Sequence, residues 1–426
     1  MENTTTLNTI TLKNSTALDT SKYTVWVAGF IQQPDLFMYL NTDGNFTSDA
    51  GNYININNGL IVNVPDVTNL GNNRLVFLVT ENTTTPSVLS PTFGYTAYPF
   101  NAAPGVCPPG PYDIFEFGPN AQYDVSAVDS FGLNLSFTVT NDDLVYGAIP
   151  AISRPEIGEA FNTFTGSDPL GTAFTQLLYT SPTGTGYPDS IMGQFSAIVA
   201  PKDWLAINPG ASGLSGYWSN TINAFFTKGN QLNLYLNAAT VGTYSGSSDG
   251  TQFTLTGPGG ITVTIPAGDF AGNQGFMQAV RGIKQGENQN EYDAFNQIEA
   301  AIFQAISRGV LLDGVVVEGV SISEGYTSTA WTNIQNWYTN HNNAYNQNPS
   351  IYDAYAKFFH CARNHGGIIM GLNSAQSLGM AYGFSLDENP NVGSWSASNN
   401  VPSKTNYSVG SGQDVTLTIG PWLAAL

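Results

Sequence analysis

The chain has 426 residues, 42% of them hydrophobic and only 10% charged, against about 25% charged in an average soluble protein. Acidic residues outnumber basic ones 31 to 12, a net charge of −19 that repels phosphate backbones and anionic lipid surfaces, so neither nucleic acid nor a membrane is expected as a partner. The solvated surface must then be built from Asn, Thr, Ser, Gly and Gln, neutral hydrogen-bonding groups that suit contact with sugars.

The opening Met1-Glu2-Asn3 segment has no basic start and no apolar core, so it does not read as a secretory signal peptide. No stretch approaches the roughly 18 apolar residues that span a bilayer. From there to about residue 200 the pattern is β. Short apolar or β-branched runs at Tyr23–Val27, Leu36–Leu40, Leu60–Val64 and Arg74–Val79 are separated by turn residues. Leu133, Leu135, Phe137 and Val139 alternate with Asn134, Ser136 and Thr138, the period of a half-buried strand. Many short strands at this spacing favour a sandwich or barrel.

The middle of the chain is mixed. A helix is expected over Ser215–Phe226, followed by strands at Leu232–Leu236, Phe253–Leu255 and Ile261–Ile265, the last two joined by the turn Gly257-Pro258-Gly259-Gly260. Between Asp293 and Leu312, residues Ile298, Ala301, Ile302, Ala305 and Ile306 follow helical spacing, ending near Gly309 or Gly314. A further helix is expected from Ser350, capped by its hydroxyl with Asp353 completing the box, and ending before Gly366-Gly367. Val415–Ile419 returns to alternation. The organisation predicted is a β domain from both chain ends (1–200 and 370–426) with a mixed α/β domain inserted at 201–369.

In a chain this poor in charge, acids on strands are informative. Glu116 lies between two phenylalanines in Tyr112-Asp113-Ile114-Phe115-Glu116-Phe117, and Asp129 opens the next strand in Ala127-Val128-Asp129-Ser130-Phe131-Gly132. If those strands pair, both carboxyls reach one cleft, the arrangement by which glycoside hydrolysis protonates a leaving oxygen and activates water. The alternative is a pair of strand-edge acids facing solvent. No Gly-x-Ser-x-Gly elbow and no phosphate-binding glycine loop is present. His360 and His365 do not share a helix face, and Asp387-Glu388-Asn389 lacks the spaced oxygens of a calcium loop, so neither a metal nor another cofactor is expected. Cys107 and Cys361 allow one disulfide or two free thiols. Trp204, Trp218, Trp331 and Trp337 are candidates either for stacking on sugars or for the core.

Phe115-Glu116-Phe117 followed by Val125-Ser126-Ala127-Val128-Asp129-Ser130-Phe131-Gly132-Leu133 resembles the signature of glycoside hydrolase family 64, the β-1,3-glucanases related in fold to thaumatin-like proteins. Ala197–Pro201 with Gly216-Tyr217-Trp218, Ile298–Leu312, and Tyr355-Ala356-Lys357 with Ala381–Glu388 are similar to further family segments in the same order. The resemblance covers roughly residues 110–420 and implies a thaumatin-like β-barrel or sandwich facing the α/β domain across an open groove. It also implies an endo-acting, inverting hydrolase of β-1,3-glucan, extracellular or at the cell surface. By position Glu116 is its general acid and Asp129 its general base, with Asn120, Asp387, Tyr123 and Trp218 as substrate-binding candidates. Gly118 stands where the family has a Thr, followed by Pro119, and the acids are separated by only 13 positions (129 − 116). These departures, with the neutral surface, keep a second expectation alive: a glucan-binding or self-assembling structural protein on the same scaffold.

Overall fold

The computed structural model describes residues 6–423 apart from 34–35, 50, 67–72, 87–109, 118–121, 143–144, 149–150, 181–190, 237–241, 277–288, 315–330, 332–335, 343–349 and 361–405. Its largest sheet runs, in spatial order, through strands Asn406–Ser408, Gln122–Val125, Tyr112–Phe117, Asn73–Glu81, Tyr23–Gln33, Leu36–Leu40 and Phe46–Thr47, with Ile54–Asn55 also paired to 23–33. A second sheet has the order Tyr146–Gly147, Leu135–Val139, Val415–Ile419, Thr6–Asn14, Leu60–Pro65. Every pairing in these two sheets is antiparallel except that of 6–14 with 415–419, where Ile10 lies opposite Val415 and Asn14 opposite Ile419.

Strand alternation explains how the layers meet. Phe115 and Phe117 leave strand 112–117 on one face and join Leu75, Phe77, Val25 and Val27 of the large sheet in a core shared with Leu12, Val62, Leu135, Phe137 and Leu417 of the second. The Phe115 and Phe137 rings meet edge to face, 5.3 Å apart. Two open sheets therefore pack face to face, and of the two expected forms, barrel or sandwich, the described strands do not close into a barrel. The 135–139 strand is buried on both sides rather than half-buried. Asn134 and Ser136 are 2% and 1% exposed, and Asn134 donates to the carbonyl of Ile152.

The opposite face of the large sheet carries a smaller apolar cluster of Ala28, Phe30, Tyr39, Val76, Leu78 and Tyr112. It is completed by Ala197 and Val199 from a three-stranded sheet ordered Ser130–Phe131, Ala197–Val199, Leu178–Tyr179. A four-stranded antiparallel meander, Gln231–Leu236, Gly242–Ser248, Gln252–Thr256 and Thr262–Pro266, packs under the helix Gln289–Arg308. The predicted stripe of Ile298, Ala301, Ile302, Ala305 and Ile306 is buried against it. That helix ends as expected at Gly309: its φ is +78°, and the Val310 N–H reaches the Ala305 carbonyl at 2.9 Å, a closing turn that favours glycine.

Three expectations about helices need correction. The first 200 residues are not all β, because Arg154–Ser167 is a helix. The Ser153 N–H and hydroxyl both donate to Glu156, at 2.7 and 2.6 Å, with Pro155 in the first turn. The expected helix at 215–226 is confined to Ser219–Phe225, because Gly216 takes φ +67° before it. Ser350 does not cap the helix Ala354–His360. Asp353 does, its Oδ1 accepting from the Tyr355 and Ala356 N–H groups, while the Ser350 hydroxyl turns to His341.

Two buried charges fix the chain around Gly132. Asp113 accepts from the N–H groups of Gly132 and Leu133, each at 3.1 Å. Arg154 donates its Nε–H to the Gly132 carbonyl at 2.6 Å and reaches the Ser196 carbonyl and Gln194 with its other nitrogens. Its guanidinium lies 3.9 Å from the Phe195 ring centre. Burial pushes Asp113 up to about 7 and Arg154 down to about 9, and each charge eases the burden on the other. A Cβ on Gly132 would stand 1.8 Å from the Tyr112 carbonyl oxygen, so only glycine fits. Arg154→Met is expected to lower stability by about 3 kcal/mol or more, since it strips buried charge-assisted hydrogen bonds and leaves Asp113 uncompensated. Denaturant titration followed by circular dichroism checks this.

Candidate active site

Tyr112, Ile114 and Glu116 point to the face of the large sheet that carries the smaller apolar cluster, opposite Phe115 and Phe117. Register puts a row of side chains on that face: Phe30, Arg74, Glu116 and Asp124 lie directly opposite one another on four successive strands. Arg74 Nη2 makes an ion pair with Glu116 Oε1, and Glu116 remains partly open, its side chain 27% exposed. Asp124, 2% exposed, is the directly opposed residue on the other side, where Cβ atoms stand about 4.5–5.5 Å apart. The Arg74 cation thus sits in a row with two acids.

Asp129 occupies the turn between strands 122–125 and 130–131. Its carbonyl accepts from the Ala200 N–H at 2.9 Å, extending the pairing of 130–131 with 197–199. Tyr355, from the 354–360 helix, donates its hydroxyl to the Ala127 carbonyl at 2.5 Å. With Asp113 and Arg154 on Gly132, the backbone is anchored on both sides of Asp129. The Asp129 side chain, 24% exposed, makes an ion pair with Lys202, which also reaches Asp203 at 2.7 Å. Lys202 and Asp203 belong to the first turn of the helix Pro201–Ile207, which follows strand 197–199 directly. Burial pushes the Asp203 carboxyl up to about 7; Lys202 pulls against that shift and the Asp129 charge adds to it.

Both acids lie on or next to strands that supply the same apolar cluster. Glu116 stands on the strand that supplies Tyr112, and Asp129 beside the strand that supplies Ala197 and Val199, with Trp204 and Ile207 packed against it. Each carries its own cation. Asn120 and Asp387 lie outside the described residues, as do Gly118, Pro119 and both cysteines. Two of the substrate-binding candidates are buried. Tyr123 is 0% exposed, its ring packed on Phe115 and its hydroxyl donating to Asn8 at 3.1 Å. Trp218 is 1% exposed, wedged between Tyr217 and Phe276. Trp331 and Trp337 are equally buried, and neither presents a face to a sugar. An open cleft of about 550 Å³, lined by residues 11–15 and 57–61, involves none of the acids.

Arg74, Asp124, Lys202 and Asp203 escape a reading of the sequence alone. Only Lys202-Asp203 leaves a local trace, directly after the Ala197–Pro201 segment. Because the folded Asp203 holds its proton more tightly than the unfolded chain does, its contribution to stability is complete below the ordinary aspartate range. It is lost as pH rises through about 7. Asp203→Asn is expected to flatten that part of the stability profile, measured as denaturant midpoints from pH 4 to 8.

A family model described as β-1,3-glucanase, the glycoside hydrolase 64 model, matches residues 6–405. Among solved structures, a β-1,3-glucanase domain (GH64) from Clostridium beijerinckii superposes with a TM-score of 0.56 at 15% identity, covering 97% of this chain and 98% of its own. A laminaripentaose-producing β-1,3-glucanase in complex with laminaritetraose gives 0.57 at 12% identity, with 97% and 99% covered. Both share the fold. No curated protein matches the chain. Among the described residues, no helix is long and apolar enough to cross a membrane.

Proposed function

The chain belongs to glycoside hydrolase family 64, the β-1,3-glucanases, and from that membership we propose that it cleaves β-1,3-glucan internally and with inversion, using Glu116 as general acid and Asp129 as general base. It is a glycoside hydrolase acting on β-1,3-glucan. The finer reading is supported by one observation: the family match runs through both motif acids, which lie on or next to strands that supply one apolar cluster.

In an inverting reaction the acid gives a proton to the leaving oxygen while the base takes one from a water attacking the opposite face of the sugar, across a separation of about 6.5–9.5 Å. Lys202 sets a cation against the carboxylate that has to be charged at that moment. Glu116 starts from the opposite condition. An acid must hold a proton, and the ion pair with Arg74 engages it as a carboxylate. The cycle we propose therefore opens the Arg74–Glu116 pair as the glucan docks, and the carboxyl is protonated once the cation has left. Asn120 and Asp387 are proposed to bind the glucan along a groove between the β part (1–200 and 370–426) and the 201–369 insertion. A polymeric substrate supports a site of action outside the cell or at its surface.

The test is product release from laminarin and curdlan by the wild type, Glu116→Gln and Asp129→Asn, with proton NMR reading the first-formed anomer. The α-anomer from the wild type, with each variant slower by about 100-fold or more, is the expected result. A β-anomer overturns inversion. No release by any folded sample leaves a glucan-binding scaffold in place of the mechanism.

A further inference from the structure

Lys202 contacts two carboxylates beside the Asp129 turn, and its position is unusual. It is largely covered, its side chain 20% exposed, it lies on the first turn of a helix, and its single Nζ bridges Asp129 Oδ1 and Asp203 Oδ2. Because one Nζ bonds to both, the Asp129 and Asp203 carboxyls are drawn close together and the three groups form one cluster. Two acids this close to one lysine carry one negative charge too many for a largely desolvated site. A carboxyl pair relieves that excess by keeping one proton between its oxygens.

We propose that Asp203 is a positioning residue for hydrolysis, holding the Asp129 carboxylate in place through a shared proton while Lys202 grips both. The idea rests on the reading of Asp129 as general base. In this arrangement one Asp129 oxygen is taken up by the cluster, and the other is left to face the attacking water.

The surroundings are consistent with a proton at this place. Burial raises the affinity of Asp203 for a proton to about 7, and the Asp129 charge adds to it. Lys202 holds its own proton more tightly than usual, because two acids outweigh its burial. Among the described residues, the Tyr355 hydroxyl on the 354–360 helix also feels both acids, and burial holds it neutral well beyond this range. Trp204, next in the helix, turns its Nε1–H to Gln176 and brings no charge.

Asp203→Asn and Asp203→Ala separate the proton from the packing, because asparagine keeps the shape and cannot ionise. The wild type is expected to show an inflection of kcat on laminarin near neutral pH. In Asp203→Asn that inflection disappears, with KM within about twofold of the wild-type value. In Asp203→Ala kcat falls by about 10- to 100-fold, again with KM little moved, since a base that drifts by an ångström loses its alignment. An unchanged inflection in the asparagine variant, or wild-type kcat in the alanine variant, overturns the proposal. Should neither variant fold, carbon-13 NMR of the aspartate carboxyls in the wild type decides. One neutral-range titration that both Asp129 and Asp203 report supports a shared proton; two independent titrations in the ordinary aspartate range refute it. Asp129→Asn runs alongside as a separate control. If that variant still hydrolyses laminarin the general-base assignment fails, and the carboxyl titration of the wild type still reports whether the acids share a proton.

Discussion

The peptide of Gly132 is held from both ends by opposite charges, and much of the site hangs on that grip. Asp113 takes its N–H and Arg154 its carbonyl, and both charged groups are buried. The two belong to different elements, strand 112–117 and the 154–167 helix. The contact therefore does more than satisfy polar groups. It fixes where the chain leaves the large sheet after strand 122–125 and where it arrives at strand 130–131, and Asp129 sits in between. The absence of a side chain at Gly132 is part of the same constraint, because the Tyr112 carbonyl fills the space.

Scarce cations are concentrated inside the protein. Of the twelve Lys and Arg residues, Arg154, Arg308 and Lys357 are almost fully buried, and Arg74 and Lys202 are mostly so. Each meets a specific partner. Arg308 stacks 4.0 Å from the Trp337 ring centre, and Lys357 meets Asp168 at 2.7 Å beside the Tyr352 hydroxyl. Among the described residues opposite charges thus pair mostly in the interior, with Lys22 and Asp19 an exposed exception. Desolvated pairs fix geometry strongly because removing one partner strands the other.

Local pattern made the strands legible. The runs at 23–27, 36–40, 60–64, 74–79 and 415–419 all fall within strands, because a pleated, half-buried chain imposes a period of two on its side chains. The 289–308 helix was equally clear from its stripe. The 154–167 helix was not. Its cap and its apolar positions Ile157, Phe161 and Phe164 are there, but Gly158, Thr163, Thr165 and Gly166 dilute them with poor helix formers. At the site, Glu116 and Asp129 stood out as acids among apolar neighbours, whereas their companions did not. Arg74 lies 42 positions before Glu116 and Lys202 73 positions after Asp129, and only strand register brings them together (116 − 74; 202 − 129). Tyr123 and Trp218, read as sugar-binding candidates, are covered by protein. An aromatic residue announces a large surface to be covered, and the sequence does not say whether sugar or protein covers it.

The strand 415–419 lies between 135–139 and 6–14, so the second sheet is assembled around a segment synthesised about 400 residues after its parallel neighbour. At 5–20 residues per second, the edge of 6–14 waits on the order of 20 to 80 s on the ribosome before its proper companion exists. Throughout that interval it offers a row of unpaired N–H and C=O groups to any passing strand, including the equivalent segment of a neighbouring nascent copy. Polysome-borne chains of this protein are therefore natural clients for a chaperone that shields early β edges.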